Sequence, residues 1–194
     1  TTCLQHVGTS ALVDIQGNAF FGYQNAPLNN PKAQMITCSN ANTNFRIIGN
    51  SFIGRAGANA GGSLFTFTTQ MPLLVFKNNI VVRSPGDPYT WFFMAGGAGN
   101  PVGDWANNIY VVPTLGVSQY NGKTLAAFKV DYATDANSYE TLTSPLDALG
   151  RPATLAPRTG VFIDHNTYDA DGMMRNNPPS IGAHEYVEPR ASRL

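Results

Sequence analysis

A chain of 194 residues, 43% of them apolar, is long enough to bury a sizeable core and too apolar to stay disordered. Charged residues make up only 12%, with 12 Lys and Arg against 12 Asp and Glu, which excludes the basic surface that nucleic acid requires. No apolar run reaches the length of a membrane-spanning helix, and no membrane insertion is expected.

So few charges leave a surface of Asn, Thr, Ser, Gly and Gln. Two readings follow: an extracellular protein built for neutral or sugar-like partners, or one that covers much of its surface with copies of itself. The chain carries no signal peptide and does not begin with Met. It is expected to begin after a processing site or to be a piece of something longer.

In chain order, one phrase keeps returning. Asn18, Asn50, Asn78, Asn107, Asn137 and Asn166 stand 28 to 32 residues apart, each followed by a small or polar residue and then a large apolar one. A near-constant period of this size marks a repeat architecture. Short β-branched and aromatic runs bounded by Gly, Pro and Asn recur around each Asn. They read as strands at 12–15, 20–23, 35–38, 45–48, 52–55, 64–68, 73–76, 80–83, 91–94, 109–112, 124–128 and 160–163. Helical spacing is nearly absent; residues 125–130 could form a turn of helix, but their place in the repeat argues for a strand.

These runs predict an all-β parallel solenoid, a β-helix of about six coils of roughly 30 residues with three short strands each. It forms a single domain over 1–194, with regular coils over 1–143 and an irregular last coil and cap over 144–194. The recurring Asn suits a bend that needs left-handed backbone angles, and its amide can hydrogen-bond along a ladder. Gly- and Pro-rich inserts at 54–62, 84–88 and 95–104 are the places where a solenoid carries binding loops. The tail at 178–187 is expected to cover the open end of the stack.

The ending carries a resemblance. Asp169-Ala170-Asp171-Gly172-Met173-Met174-Arg175, followed by Ile181-Gly182-Ala183-His184-Glu185-Tyr186, resembles the C-terminal signature of the right-handed parallel β-helix proteins of the pectate-lyase-like superfamily. There a D-x-D-G-x-x-R turn precedes an IGA-aromatic-E-Y strand; here His184 replaces the aromatic residue. The loop Ser144-Pro145-Leu146-Asp147-Ala148-Leu149-Gly150 is similar to the SPxxDxG loop of the same group. The resemblance implies an architecture shared by secreted bacterial and phage tailspike or virion proteins. It implies no single activity, because that superfamily spans polysaccharide lyases, glycosidases, adhesins and virion proteins. Its lyases commonly use calcium with a Lys or Arg base, so calcium is the cofactor the resemblance would bring.

Several constellations are candidates for chemistry. Arg55 and Arg83 each stand five residues after a repeat Asn, so equal phasing stacks them roughly 5 Å apart on an outward face. An anion between them would relieve their repulsion, which makes them a subsite for an anionic sugar with Tyr23 as a stacking neighbour. Two solvated arginines splayed apart is the plainer reading. Asp164, Asp169 and Asp171 supply oxygen ligands for calcium, or simply form a turn with Gly172. Glu140 and Asp169 each follow a repeat Asn by three residues, the best-phased acid pair for glycoside hydrolysis.

Phe21, Ile53, Val81 and Tyr110 form an outward apolar stripe if the residue two after each Asn points inward. Such a stripe calls for a covering loop or a second protomer; a slip of one residue would remove it. Cys3 and Cys38 fall at similar places on adjacent coils and are candidates for a disulfide, or else for two buried thiols. The three histidines, His6, His165 and His184, fall at unrelated phases, with no metal-ligand spacing and no nucleophile triad.

Three functions are consistent with these features. The first is a structural or adhesive protein of an extracellular, cell-surface or virion setting that assembles with copies of itself and contacts a polysaccharide or cell-surface glycan. The second is a polysaccharide lyase or glycoside hydrolase of which this chain is the C-terminal half. The third is a passive C-terminal stalk for an enzyme domain upstream.

Overall fold

The structure is a computed structural model that describes residues 2–6, 12–21, 34–38, 44–54, 63–67, 73–83, 91–95, 103–153, 160 and 167–186. Strands β1 (Thr2–His6), β2 (Val13–Gln16) and β3 (Ala19–Phe21) form a first triplet. The triplet recurs as β4 (Gln34–Cys38), β5 (Phe45–Ile48) and β6 (Ser51–Ile53), then as β7 (Ser63–Phe67), β8 (Leu74–Lys77) and β9 (Ile80–Val82). A fourth holds β10 (Trp91–Ala95), β11 (Gly103–Ala106) and β12 (Ile109–Val111). Helix α1 (Leu125–Tyr132) and strand β13 (Tyr139–Thr141) follow.

The strands pair in parallel into three separate sheets, with orders β1-β4-β7-β10, β2-β5-β8-β11 and β3-β6-β9-β12-β13. This corrects the expected all-β solenoid of about six three-stranded coils. Among the described residues the triplet occurs four times and not six, the sheets are separate, and the fold contains a helix. The run at 124–128 is the clearest departure, since α1 occupies it. Thr124 caps the helix, its Oγ1 accepting the Ala127 N–H at 3.2 Å. Leu125 and Phe128, three apart, lie on one face and are buried. The helix ends at Ala133, in the left-handed conformation at φ 46°. The caps at Thr124 and Ala133 and the burial of Leu125 and Phe128 hold a helix here, and that outweighs the position of the run in the repeat.

Between the second and third strands of each triplet sits a tight turn whose two residues divide the labour. The first takes the left-handed angle: Gly17 and Gly49 at φ 63°, Asn78 at 55°, Asn107 at 56° and Asn137 at 59°. The second builds the ladder. The Asn18 N–H donates to Asn50 Oδ1 at 2.9 Å, Asn50 N–H to Asn79 Oδ1 at 3.0 Å, and Asn79 N–H to Asn108 Oδ1 at 2.9 Å. Asn108 N–H donates to Ser138 Oγ at 2.8 Å. The amide groups of Asn50, Asn79 and Asn108 donate to the carbonyls of Ile15, Ile47 and Phe76 at 2.9 Å each. The steps from Asn50 to Ser138 thus satisfy buried polar groups that would otherwise cost about 1–3 kcal/mol apiece.

The main core runs through the stack as a column of aromatic rings. Phe20 stacks on Phe52 with centroids 4.9 Å apart and planes within 6°, and Phe52 meets Phe65 edge-on, also at 4.9 Å. Phe65, Phe76, Trp105 and Phe128 continue it at 5.4, 5.1 and 5.5 Å. Phe128 of α1 therefore closes one end of the core. At the other end Val13 and Phe20 are only partly buried.

The middle of the third sheet, β9 and β12, is buried on both faces. Phe52, Val81 and Tyr110 face the main core, while Ile80, Val82, Ile109 and Val111 join a second cluster with Leu146 and Ile181. The segments around residues 144–153 and 179–184 supply that cover. Gly150, at φ 79°, places its Cα where an added Cβ would lie 3.1 Å from Ile53 Cδ1 and 3.5 Å from Phe21 Cζ.

The tail does not cover the end of the stack, as its sequence suggested. It folds back along the turns: Gly182 N–H donates to the Asn78 carbonyl at 2.7 Å, Ala183 N–H to Ser51 Oγ at 3.0 Å, and Arg175 to the Gly49 carbonyl at 3.3 Å. Among the described residues no helix is long and apolar enough to cross a membrane.

Candidate functional site

Two polar assemblies hold the residues that the sequence singled out for chemistry. The first lies where the segment 113–123 packs against the ends of β9, β12 and β13. Glu140 is on β13, in register with Tyr110 of β12. Its Oε1 accepts the Tyr120 hydroxyl at 3.0 Å and its Oε2 accepts the Gly116 N–H at 2.9 Å. Arg83, just past β9, is 9% exposed and donates to Gln119 Oε1. Burial, with Glu140 second, raises the Tyr120 phenol far above its usual range, while Arg83 opposes the shift. Arg83 and Glu140 thus reach the same neighbourhood, through Tyr120 and Gln119.

Behind them the Asn ladder ends on a carboxylate. Asp135 is 0% exposed; its Oδ1 accepts Asn108 Nδ2 at 2.9 Å and the Ser138 hydroxyl, and its Oδ2 accepts the Tyr110 hydroxyl at 2.7 Å. Desolvation raises the Asp135 carboxyl above the ordinary range, and its hydrogen bonds oppose the shift.

The second assembly is the clasp of the tail. Asp169 Oδ1 accepts the N–H groups of Asp171 at 3.0 Å and Met173 at 2.7 Å, and Oδ2 accepts Glu185 N–H at 2.9 Å. Arg175 donates to Glu185 Oε1 at 3.2 Å and to the carbonyls of Ser180, Gly49, Gly182 and Ala183 at 3.0–3.3 Å. Glu185 in turn accepts Ser180 N–H at 2.9 Å and Asn176 Nδ2 at 3.1 Å. Burial lowers the Arg175 pKa and the Glu185 carboxylate partly restores it. Asp171 bridges Arg151 at 3.3 Å and His184 Nδ1 at 3.1 Å.

Several expectations are corrected by this geometry. Val82, not Val81, pairs with Ile53, which puts Arg83 in the row of Gly54. Asn78 matches Gly49, one residue before Asn50, so counting five residues from each Asn does not give equal phase. Arg55, Tyr23 and Asp164 lie outside the described residues. The same one-residue offset dissolves the stripe: Phe21, Ile53, Val82 and Val111 share a row, whereas Val81 and Tyr110 are 0% exposed in the core. In the true row Val82 and Val111 are buried and Ile53 partly so beneath Leu146 and Ile181, while Phe21 stays 37% exposed.

The proposed acid pair is also separated. Asp169 packs beside Gly17, ahead of β3, whereas Glu140 is on β13 at the opposite edge of the same sheet. Four inter-strand steps put them on the order of 19 Å apart, beyond the reach of any glycoside-cleaving pair. For the cysteines, the register places Cys38 opposite His6, three positions along from Cys3. That offset sets their Cα atoms roughly 11 Å apart, too far for a bridge.

Tyr120, Gln119, Asp135 and His184 were not picked out from the sequence as site residues. The first three sit in segments with no repeat phase to anchor them. The departure of His184 from the aromatic of the signature was visible, but its neighbour Asp171 was not. Compared with family models, curated proteins and solved structures, the chain matches none.

Proposed function

We propose that this chain is a structural or adhesive element of an extracellular, cell-surface or virion surface that meets glycans through an uncharged polar exterior. One observation carries the reading. Asp169, Arg175, Glu185, Glu140 and Arg83, the described charged groups best suited to chemistry, are all bonded into the fold. Asp169 accepts three backbone N–H groups, and Arg175 has carbonyl and carboxylate acceptors on every side. A general acid or base must be able to reach a substrate proton. A carboxylate held by three amide donors fixes the backbone and is not free to swing toward a substrate proton.

Two further features support the proposal. Charged residues are 12% of the chain, which suits a surface that contacts neutral sugars. The ending also resembles that of secreted and virion proteins of the pectate-lyase-like superfamily. The test is incubation of the purified protein with a panel of uronate-rich and neutral polysaccharides, following new chain ends and co-sedimentation together. Retention without new ends is the expected result. Cleavage that disappears in Glu140→Gln or Arg83→Ala would overturn the proposal and make the Tyr120 neighbourhood an active site.

A further inference from the structure

We propose that Asp169, Asp171 and His184 form a binding site for a first-row divalent transition-metal ion of the zinc class. One ligand atom from each of the three lies within 4.8 Å of the other two. His184 is 8% exposed and turns its Nδ1 toward Asp171 Oδ2 at 3.1 Å. Any two ligands of a tetrahedral zinc, each about 2.0–2.1 Å from the ion, stand roughly 3.3 Å apart, so this pair needs almost no movement to take one.

The ligands are held before any ion arrives. The N–H groups of Asp171, Met173 and Glu185 fix the Asp169 carboxylate. Oδ2 accepts the Glu185 N–H, and a carboxylate oxygen carries a second lone pair for a metal. His184 is anchored through its neighbour Ala183, whose N–H donates to Ser51 Oγ at 3.0 Å. Asp171 is 46% exposed in its side chain, so the fourth position of the ion opens to solvent. Arg151 holds the other Asp171 oxygen at 3.3 Å through an exposed pair, which is a weak competitor.

The donor set selects the ion. An imidazole with two carboxylates suits zinc or manganese, while calcium prefers six to eight oxygens. This is a different set from the all-carboxylate Asp164, Asp169 and Asp171 group expected from the sequence. A bound ion would join the 169–171 turn to the 181–185 segment and tighten the tail on the stack.

The experiment uses the full chain, stripped with a chelator and titrated with zinc, manganese or calcium chloride alone. Binding is followed by calorimetry and stability by thermal melting. Zinc is expected to bind at one equivalent and raise Tm, with calcium weaker by tenfold or more. His184→Phe, which keeps an aromatic ring in the buried position, is expected to keep its circular dichroism spectrum and lose zinc binding. Exposed Asp171→Asn should weaken zinc about tenfold or more even if His184→Phe fails to fold, and Arg151→Ala should tighten it. Absent zinc binding, zinc binding unchanged in Asp171→Asn, or calcium binding as tight as zinc would overturn the proposal.

Discussion

The guanidinium of Arg175 donates to the carbonyl of Gly49 at 3.3 Å, across 126 residues of chain. It is buried with Glu185, their side chains 1% and 3% exposed. Removing one member of a buried, hydrogen-bonded ion pair strands the other and costs about 3–5 kcal/mol. Arg175→Ala should therefore lose most of that amount in urea denaturation. Limited proteolysis should then cut within residues 160–186 before it cuts the sheets.

Asn78 and Asn79 are neighbours with different duties, one supplying a left-handed angle at φ 55° and the other the ladder amide. Asn78→Gly keeps the angle that glycine adopts freely but removes a buried amide, so it should cost about 1 kcal/mol, less than the ladder residue does. Asn79→Ala strands the Asn50 N–H and the Ile47 carbonyl and should cost about 2 kcal/mol or more. Equal losses in the two variants, measured by thermal melting, would contradict this division.

Asp135 carries a pH signature. Its carboxyl is raised in the fold, chiefly by desolvation, so folding favours the protonated form. That contribution is full below the unfolded carboxylate value of about 3.9 and is lost as pH rises through the raised native value. Asp135→Asn is neutral at every pH and keeps an oxygen to accept from Asn108 and Ser138. The stability of the variant relative to the parent should therefore increase between pH 4 and pH 8. A difference that stays flat across that range would show that Asp135 is not desolvated.

Gly182 sits at φ 100°, where an added Cβ would lie 2.9 Å from Ile80 Cδ1 and Ser51 Oγ. Gly182→Ala combines backbone strain with a clash against the third sheet, so a loss of about 2 kcal/mol or more is expected. The Ala183–Ser51 hydrogen bond should weaken with it, visible as faster amide exchange at Ala183.

Legibility differed by residue type. The strands β5, β8 and β9 stood out as β-branched and aromatic runs beside an Asn. Strand β11 (Gly103–Ala106) begins inside the Gly-rich stretch 95–104 that reads as an insert. The repeat itself was plain, but its phase was not. Asn18 and Asn50 are ladder residues, while Asn78 and Asn107 are the turn residues one position earlier. Two adjacent Asn at 78–79 and at 107–108 look alike in sequence, and only pairing tells them apart. That single-residue ambiguity produced both the arginine pair and the exposed stripe, because a one-residue shift turns every strand side chain to the other face.

By itself, the sequence determined the period, the strand chemistry, the turn residues and the low charge, all of which depend on a residue and its near neighbours. The tertiary structure alone decided the register and the path of the tail back over Gly49, Asn78 and Gly17. It also decided that Asp171 meets His184. These are contacts between residues far apart in the chain. They are selected by shared burial and hydrogen-bond satisfaction, which no local pattern encodes.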